Sequence, residues 1–317
     1  MAAPYACVIV NPASANGATG RRWPQIRAAL DRTLDRWDNQ FTLAPGDATH
    51  LARSAVQDGY EMIVSIGGDG TMSEVVTGLF KEDGSGGITG ELLRKDVILA
   101  SVRQGTGGDF ARYLGLSGNL PDSVAHLGGD RTRSADLGLI EYIAHDGKKK
   151  RTAFLNIASF GLSGVVDEKV NTTSKALGGK VSFLVGLGRA FVAYRPQAVK
   201  ITVDGTPFHE GPMITCAVAN GQYFGGGMRF APKAEIDDGM FDVVAQLRSG
   251  LKEVVSIGDL YSGKVADWAS VRYTKGRVVR AEPMKADDRV LLDIDGEQLG
   301  RLPAEMQMVP SAVRLKV

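Results

Sequence analysis

From Ile66 to Thr71 the chain reads Ile-Gly-Gly-Asp-Gly-Thr, placing three glycines, a carboxylate and a hydroxyl in five successive positions. Glycines let a backbone turn sharply and approach a ligand with no Cβ in the way. A hydrophobic run precedes the glycines and a helical pattern follows. The start of such a helix offers free N–H groups and the positive end of its dipole, which suits a chain of phosphates. A plain strand-to-helix turn needs fewer of these residues, so we read Gly67, Gly68, Gly70 and Thr71 as a phosphate cradle. No Lys-Ser/Thr pair follows, which excludes a P-loop, and the spacing is not that of the dinucleotide fingerprint. Asp69 lies where it could orient Mg²⁺ on the phosphates or hold an acceptor hydroxyl.

Two further polar turns close predicted strands. Asn11-Pro12-Ala13-Ser14, followed by Gly17 and Gly20, ends the first strand; Gly105-Thr106-Gly107-Gly108-Asp109-Phe110-Ala111-Arg112 ends the strand that begins at Val97. Ligands of open α/β sheets bind outside the carboxyl ends of the strands, so three such turns side by side make one nucleotide site. Late in the chain, Asp295-Gly296-Glu297 ends the apolar run Val290–Ile294, which Asp293 interrupts. Gly296 permits a tight turn that aims Glu297 into a cleft, although an ordinary Asp-Gly hairpin has the same spelling. Phosphoryl transfer needs positioned phosphates and a carboxylate that can accept the hydroxyl proton, and few other reactive side chains. Glu235 and Asp238 are hard oxygen ligands suited to Mg²⁺ or Ca²⁺, or else members of a solvated Asp-Asp-Gly turn. His50, His126, His145 and His209 form no ligand-like cluster, which argues against zinc.

The elements that must position these residues divide in two. Strands are expected at Tyr5–Val10, Met62–Ile66 and Val97–Val102, and helices near Trp23–Arg36, from an Asp47 N-cap to Val56, from about Met72 and from about Phe110. Strand, turn and helix in repetition predict a doubly wound α/β nucleotide-binding domain over residues 1–133. From 134 to 303 the pattern becomes short strands: Ala135–Tyr142, Thr152–Phe160, Val199–Val203, Ile214–Asn220, Phe241–Leu247, Val271–Ala281 and Val290–Asp295, with helices near Ser174–Tyr194 and Leu251–Trp268. This predicts a mainly antiparallel β-sandwich or barrel, with residues 304–317 returning to complete the first domain. The basic run Lys148–Arg151 is read as a solvated hairpin tip rather than a membrane contact, and the apolar stretch Leu177–Tyr194 as core rather than an acyl-chain slot.

A chain of 317 residues accommodates two domains. Its net charge of +1 gives no general attraction to nucleic acid. No run approaches the roughly 20 apolar residues of a membrane span, and the start carries no secretory signal. Cys7 and Cys216 lie in apolar, strand-like runs, which predicts buried reduced thiols. Its forty glycines are about one residue in eight, and their clustering points to specific backbone tasks.

Taken in order, Asn-Pro-x-Ser at Asn11–Ser14, Gly-Gly-Asp-Gly-Thr at Gly67–Thr71 and Gly-Thr-Gly-x-Asp-Phe-Ala-Arg at Gly105–Arg112 resemble the diacylglycerol kinase family, which includes bacterial lipid kinases, sphingosine kinases and ceramide kinases. So do Asn220-Gly221-x-Tyr223-Phe224-Gly-Gly-Gly, Ala231-Pro232-x-Ala234, Asp237-Asp238-Gly239-Met240 and Asp295-Gly296-Glu297. The resemblance implies ATP as phosphate donor, Mg²⁺, a lipid hydroxyl as acceptor and an active site between the two domains. By motif, Asn11, Ser14, Gly67, Gly68, Gly70, Thr71, Thr42 and Thr106 would hold the nucleotide. Glu297, or Asp295, would be the general base, with Asp69 close to the reacting phosphate. Glu235, Asp238 and the Met240 carbonyl resemble a structural Mg²⁺ site of bacterial members, and Asp109 and Asp136 a carboxylate–Mg²⁺ network. A cytoplasmic protein meeting lipid at the membrane surface, with a homodimer admitted, is the corresponding expectation. One departure is Gly108, where the family has Asn. Two alternatives stand: a soluble-metabolite kinase of the NAD kinase type, and a regulatory protein that binds nucleotide without turnover.

Overall fold

The computed structural model describes residues 3–104, 108–116, 118–120, 122–164, 194–248 and 257–317. The helix expected at Ser174–Tyr194 and the apolar stretch Leu177–Tyr194 lie outside these residues up to Tyr194, as do Thr106 and residues 251–256 of the helix expected at Leu251–Trp268. The chain separates into two units, residues up to Leu137 together with Val309–Val317, and Gly138–Met308.

Continuous apolar runs build the first unit. Strands β1 (Ala6–Val10) and β3 (Met62–Gly67) are buried at every position, as expected when a parallel sheet is covered on both faces. They pair parallel with each other, and β2 (Trp37–Phe41) and β6 (Ile98–Arg103) extend the sheet in the order β2-β1-β3-β6. Alternate residues Ala6, Val8, Val10, Met62, Val64 and Ile66 pack with Ile26, Ala29 and Leu30 of helix α1 (Ala18–Leu30). Helices α2 (Asp47–Gln57) and α3 (Asp69–Gly78) lie instead against β1 and β3 outside that cluster. A small hairpin, β4 (Phe80–Glu82) and β5 (Ile88–Leu92), follows α3, and short helices α4 (Asp109–Tyr113) and α5 (Asp122–Ala125) follow β6. The sheet order reverses between β1 and β3, and their carboxyl ends are where a doubly wound fold binds its ligand.

The second unit is mainly antiparallel. Strand β7 (Thr132–Ala144) pairs with β8 (Lys149–Phe154), while β9 (Ile157–Gly161) joins a different run. Strands β10 (Gln197–Val203) and β11 (Thr206–Met213) form a hairpin, and β12 (Thr215–Ala219), β13 (Phe241–Gln246) and β14 (Val271–Gly276) pair in succession. Then come β15 (Val278–Pro283), β16 (Leu291–Ile294) and β17 (Glu297–Lys316). Side chains of β9, β12, β13 and β16 meet those of β7, β10, β15 and β17 in one buried cluster, the interior of a β-sandwich. Phe154 and Phe241 stack within it, ring centres 5.5 Å apart. The end of β17 pairs parallel with β6, Arg314 opposite Ile98 and Leu315 opposite Leu99.

Two expected strands are each broken in two. Thr152–Phe160 becomes β8 and β9 because Asp295 accepts the N–H groups of Leu155, Asn156 and Ile157 at 2.9, 3.0 and 2.9 Å. Val271–Ala281 becomes β14 and β15, with Asp204 accepting from Arg277 and Val278 at 3.0 and 2.8 Å. Both aspartates sit at positive φ beside a glycine, in two-residue hairpin turns. Helix starts differ too. The structure puts Gly46 at the cap of α2, and Asp47 folds back to accept from Leu43 and Ala44. α1 begins five residues before Trp23, on Gly17 in the left-handed region.

Lys149 and Arg151 pair with Glu141 across β7 and β8, and Lys150 with Asp146, so three of the four basic residues of the run are in ion pairs. Cys7 and Cys216 are buried and unbridged. Burial pushes the Cys7 thiol up to about 12 and Cys216 higher still, which makes both poor nucleophiles. Among the described residues no helix is long and apolar enough to cross a membrane.

Candidate active site

The carboxyl ends of the four parallel strands are tied to one another by the residues that follow them. Past β1, Asn11 donates its backbone N–H to Ile66 of β3 at 2.9 Å. Past β2, Thr42 donates to Val10 at 2.9 Å, and past β6, Gln104 donates to Gly67 at 3.2 Å. Side chains reinforce this rim. Asn11 Nδ2 donates to Thr71 Oγ1 at 3.0 Å while its Oδ1 accepts from Ala13 at 3.1 Å. Ser14 Oγ donates to the Asn11 carbonyl at 2.8 Å and lies 2.6 Å from Thr19 Oγ1.

Helix α3 starts at the centre of the rim. Its cap residue Gly68 has extended backbone and no side chain caps the first turn, leaving N–H groups of a helix start directed outward. A Cβ at Gly67 would lie 2.4 Å from Thr71 Oγ1, so glycine is obligatory there. Around Gly68 a Cβ would meet nothing within 4 Å, which leaves open space over the helix start. The neighbouring helices are closed by carboxylates of α3. Glu74 accepts from Gly46 and Ala48 of α2 at 2.9 and 3.1 Å, and Asp69 from Gly108 and Asp109 of α4 at 2.9 and 3.1 Å. Asn11, Ser14, Thr42, Gly67, Gly68, Gly70, Thr71 and Asp69 are thus gathered at one rim. Glu74 carried no signal in the sequence, because its partners lie 26 and 28 residues away. Nor did the contact of Arg22 with Gln104, at 3.2 Å, which links α1 to the end of β6.

Residues 5–140 match the diacylglycerol kinase catalytic domain, and residues 156–317 the YegS C-terminal NAD kinase beta sandwich-like domain. The chain is 30% identical over 278 residues to the Pseudomonas aeruginosa protein named "Probable lipid kinase YegS-like", covering 87% of this chain and 83% of that one. The chain belongs to the diacylglycerol kinase and YegS-like lipid kinase family. A diacylglycerol kinase of Bacillus subtilis is 27% identical over 302 residues, covering 94% of this chain and 91% of that one. A crystal structure of a diacylglycerol kinase from Bacillus anthracis shares the fold, with a TM-score of 0.71 and 21% identity, covering 100% of this chain and 97% of that one.

For a member of this family the acidic residues divide by what already holds them. Asp109 is buried and ion-paired with Arg112. Asp136, fully buried, accepts from Ser311 N–H at 2.6 Å, which joins β7 to the end of β17 inside the first unit. In the second unit Asp295 is consumed by its three backbone donors, whereas Asp293 accepts from Gly296 N–H at 2.8 Å and so holds the turn leading to the half-buried Glu297. Asp238 accepts from Met240 N–H at 2.9 Å and pairs with Lys275 at 2.6 Å, and Glu235 is exposed. Lys275 was missed in the sequence because it lies on β14, far along the chain from the acidic turn. Burial works against its ammonium, but Asp238 and Asp242 outweigh that and hold its pKa above the ordinary value. Among the described residues, no three His, Cys, Asp or Glu side chains are grouped to hold a metal ion.

Proposed function

We propose that this chain transfers the γ-phosphate of ATP to the hydroxyl of a membrane lipid alcohol such as a diacylglycerol. The observation that carries the reading is the uncapped start of α3 between Asn11 and Thr71, at the switch point of a parallel sheet, in a member of a lipid kinase family. The phosphates would lie against the N–H groups of Gly68, Gly70 and Thr71, with Asn11, Ser14 and Thr42 around them, and the family motif adds Thr106 to the nucleotide contacts. Asp69 holds the 108–109 backbone and would lie close to the transferred group. The proton-accepting role is assigned to Glu297, since the Asp295 carboxylate is already spent on backbone donors.

Mg²⁺ would neutralise charge on the phosphate oxygens. The carboxylates at the rim, Asp69 and Asp109, fit an ion that arrives on the nucleotide, not a preformed cage, in keeping with the usual habit of Mg²⁺ at phosphate sites. Lipid is expected to be met at a membrane surface, from the water side.

Labelled ATP offered together with diacylglycerol, other lipid alcohols in mixed micelles, and NAD⁺ tests the reading. Label is expected in a lipid. Label in NAD⁺ alone would place the chain among soluble-metabolite kinases, and bound ATP with no transfer to any acceptor would make it a nucleotide sensor.

A further inference from the structure

We propose that Lys275 is the resident cation of the acidic turn at 235–242, and that the chain holds this turn without the divalent ion its motif implies. Asp242 is fully buried and stands opposite Lys275 in the register of β13 and β14. Lys275 Nζ lies 3.3 Å from Asp242 Oδ2 and 2.6 Å from Asp238 Oδ2. Asp242 Oδ1 accepts from Tyr273 hydroxyl at 2.6 Å and Asp238 Oδ1 from Met240 N–H at 2.9 Å, while the buried Asp242 Oδ2 accepts no hydrogen bond and is met by Lys275 as an ion pair. Tyr273 and Lys275 alternate on the same face of β14, so one strand supplies both a neutral and a cationic donor. A second ammonium, that of Lys233, sits over the Tyr273 ring at 5.2 Å.

A buried carboxylate is tolerable only when paired and hydrogen-bonded. An ammonium on a flexible stem, with three donors, reaches two carboxylates where a fixed donor would reach one. It also competes with a divalent ion for the same oxygens. A divalent ion needs several oxygens at about 2.0–2.6 Å, and Nζ already stands at that range from Asp238. Glu235, the other carboxylate of the motif, is exposed instead of turned into the cluster.

The test is thermal unfolding of the nucleotide-free protein in EDTA, in MgCl₂ and in CaCl₂, together with metal analysis after gel filtration. Wild type is expected to unfold at the same temperature in all three and to retain no stoichiometric metal. A fall in EDTA, or one Mg²⁺ or Ca²⁺ retained per chain, would overturn the proposal without any use of wild-type alone needing a variant to fold. Lys275→Met is expected to unfold about 5–10 °C lower in EDTA, because it strands Asp242, and to recover part of that loss as MgCl₂ or CaCl₂ is added. A Lys275→Met protein whose unfolding temperature ignores both ions would show that the two cations are not equivalent here, which also overturns it. If that variant does not fold, Lys275→Met/Asp242→Asn, which removes the buried carboxylate together with its cation, is expected to fold and to be indifferent to either ion; metal-dependent unfolding of the double variant would count against the assignment. None of these readouts involves phosphate transfer, so the lipid kinase reading stands or falls separately.

Discussion

Asn11 Nδ2 and Thr71 Oγ1 form a 3.0 Å hydrogen bond across the point where the sheet order of the first unit reverses. It fixes the loop after β1 against the first turn of α3, so that the outward N–H groups of that turn face one direction. Asn11→Asp keeps the size of the side chain, removes the donor and places a negative charge where phosphates are proposed to bind. KM for ATP is expected to rise about 10–100-fold, a loss comparable with one or two charge-assisted hydrogen bonds. Thr71→Val removes the hydroxyl that accepts this bond without adding a charge, and should raise KM less. Steady-state kinetics at saturating lipid measures both, and an unchanged KM in Asn11→Asp would remove the phosphates from this rim.

Glu297 and Asp295 are two residues apart and are expected to fail in different ways. Glu297→Gln removes a proton acceptor while keeping shape, so kcat should fall about 10²–10⁴-fold with ATP binding and unfolding temperature unchanged. Asp295→Ala leaves the N–H groups of Leu155, Asn156 and Ile157 without their acceptor in a buried site. It should destabilise the protein by about 3 kcal/mol or more, read as a lower denaturant midpoint. Normal turnover in Glu297→Gln would move the base elsewhere.

The parts that could be read from the sequence were those governed by local rules. Tyr5–Val10 and Met62–Ile66 announce themselves because parallel strands buried on both faces must be continuously apolar. β2, spelled Trp-Asp-Asn-Gln-Phe, does not, because it is a partly exposed edge strand. Its Asp38 carboxylate is satisfied by the hydroxyls of Tyr5 and Tyr60, contacts that no spacing reveals. Asp-Gly spells a hairpin turn at 204–205 as at 295–296. That each aspartate would reach a third strand and break it is not visible, since the acceptor and its donors are over 70 and nearly 140 residues apart. The glycine loops of the site were legible for the same local reason as the buried strands. Glu74, which closes the start of α2, and Lys275, which pairs with the acidic turn, act across the fold and left no pattern.

His126 should make stability depend on pH. Burial, with the nearby Lys316 ammonium adding to it, lowers its pKa to about 4, against a Ser101 backbone contact that acts the other way. An unfolded chain takes up this proton near pH 6.5, whereas the folded state refuses it until about pH 4. Between those values the unfolded state binds more protons, so stability falls as pH falls, by up to about 3 kcal/mol in all. Denaturant midpoints of wild type are expected to drop between pH 7 and pH 5, and His126→Gln should flatten that slope. An equal slope in both proteins would assign the acid sensitivity to other groups.

Gly108, where the family resemblance implies Asn, is explained by space more than by backbone. Its φ of 85° lies in the left-handed region, which Asn also adopts readily. A Cβ here, however, would stand 2.7 Å from Arg103 Nε, 2.8 Å from Cδ and 3.0 Å from Cγ. The stem of Arg103 therefore fills the room that a side chain at 108 would need, and Gly118 flanks it with its own Cβ position 3.8 Å from Arg103 Cδ. Gly108→Asn alone must push Arg103 aside and disturb the backbone N–H groups that Asp69 holds, so kcat/KM is expected to fall about 10-fold or more. Arg103→Ala should cost less, since it removes a side chain without crowding the loop. The combined Arg103→Ala/Gly108→Asn protein is expected to be more active than Gly108→Asn, with a coupling of about 1–2 kcal/mol between the two positions. Strictly additive losses would mean that Arg103 and residue 108 act independently, and the glycine would then need another cause.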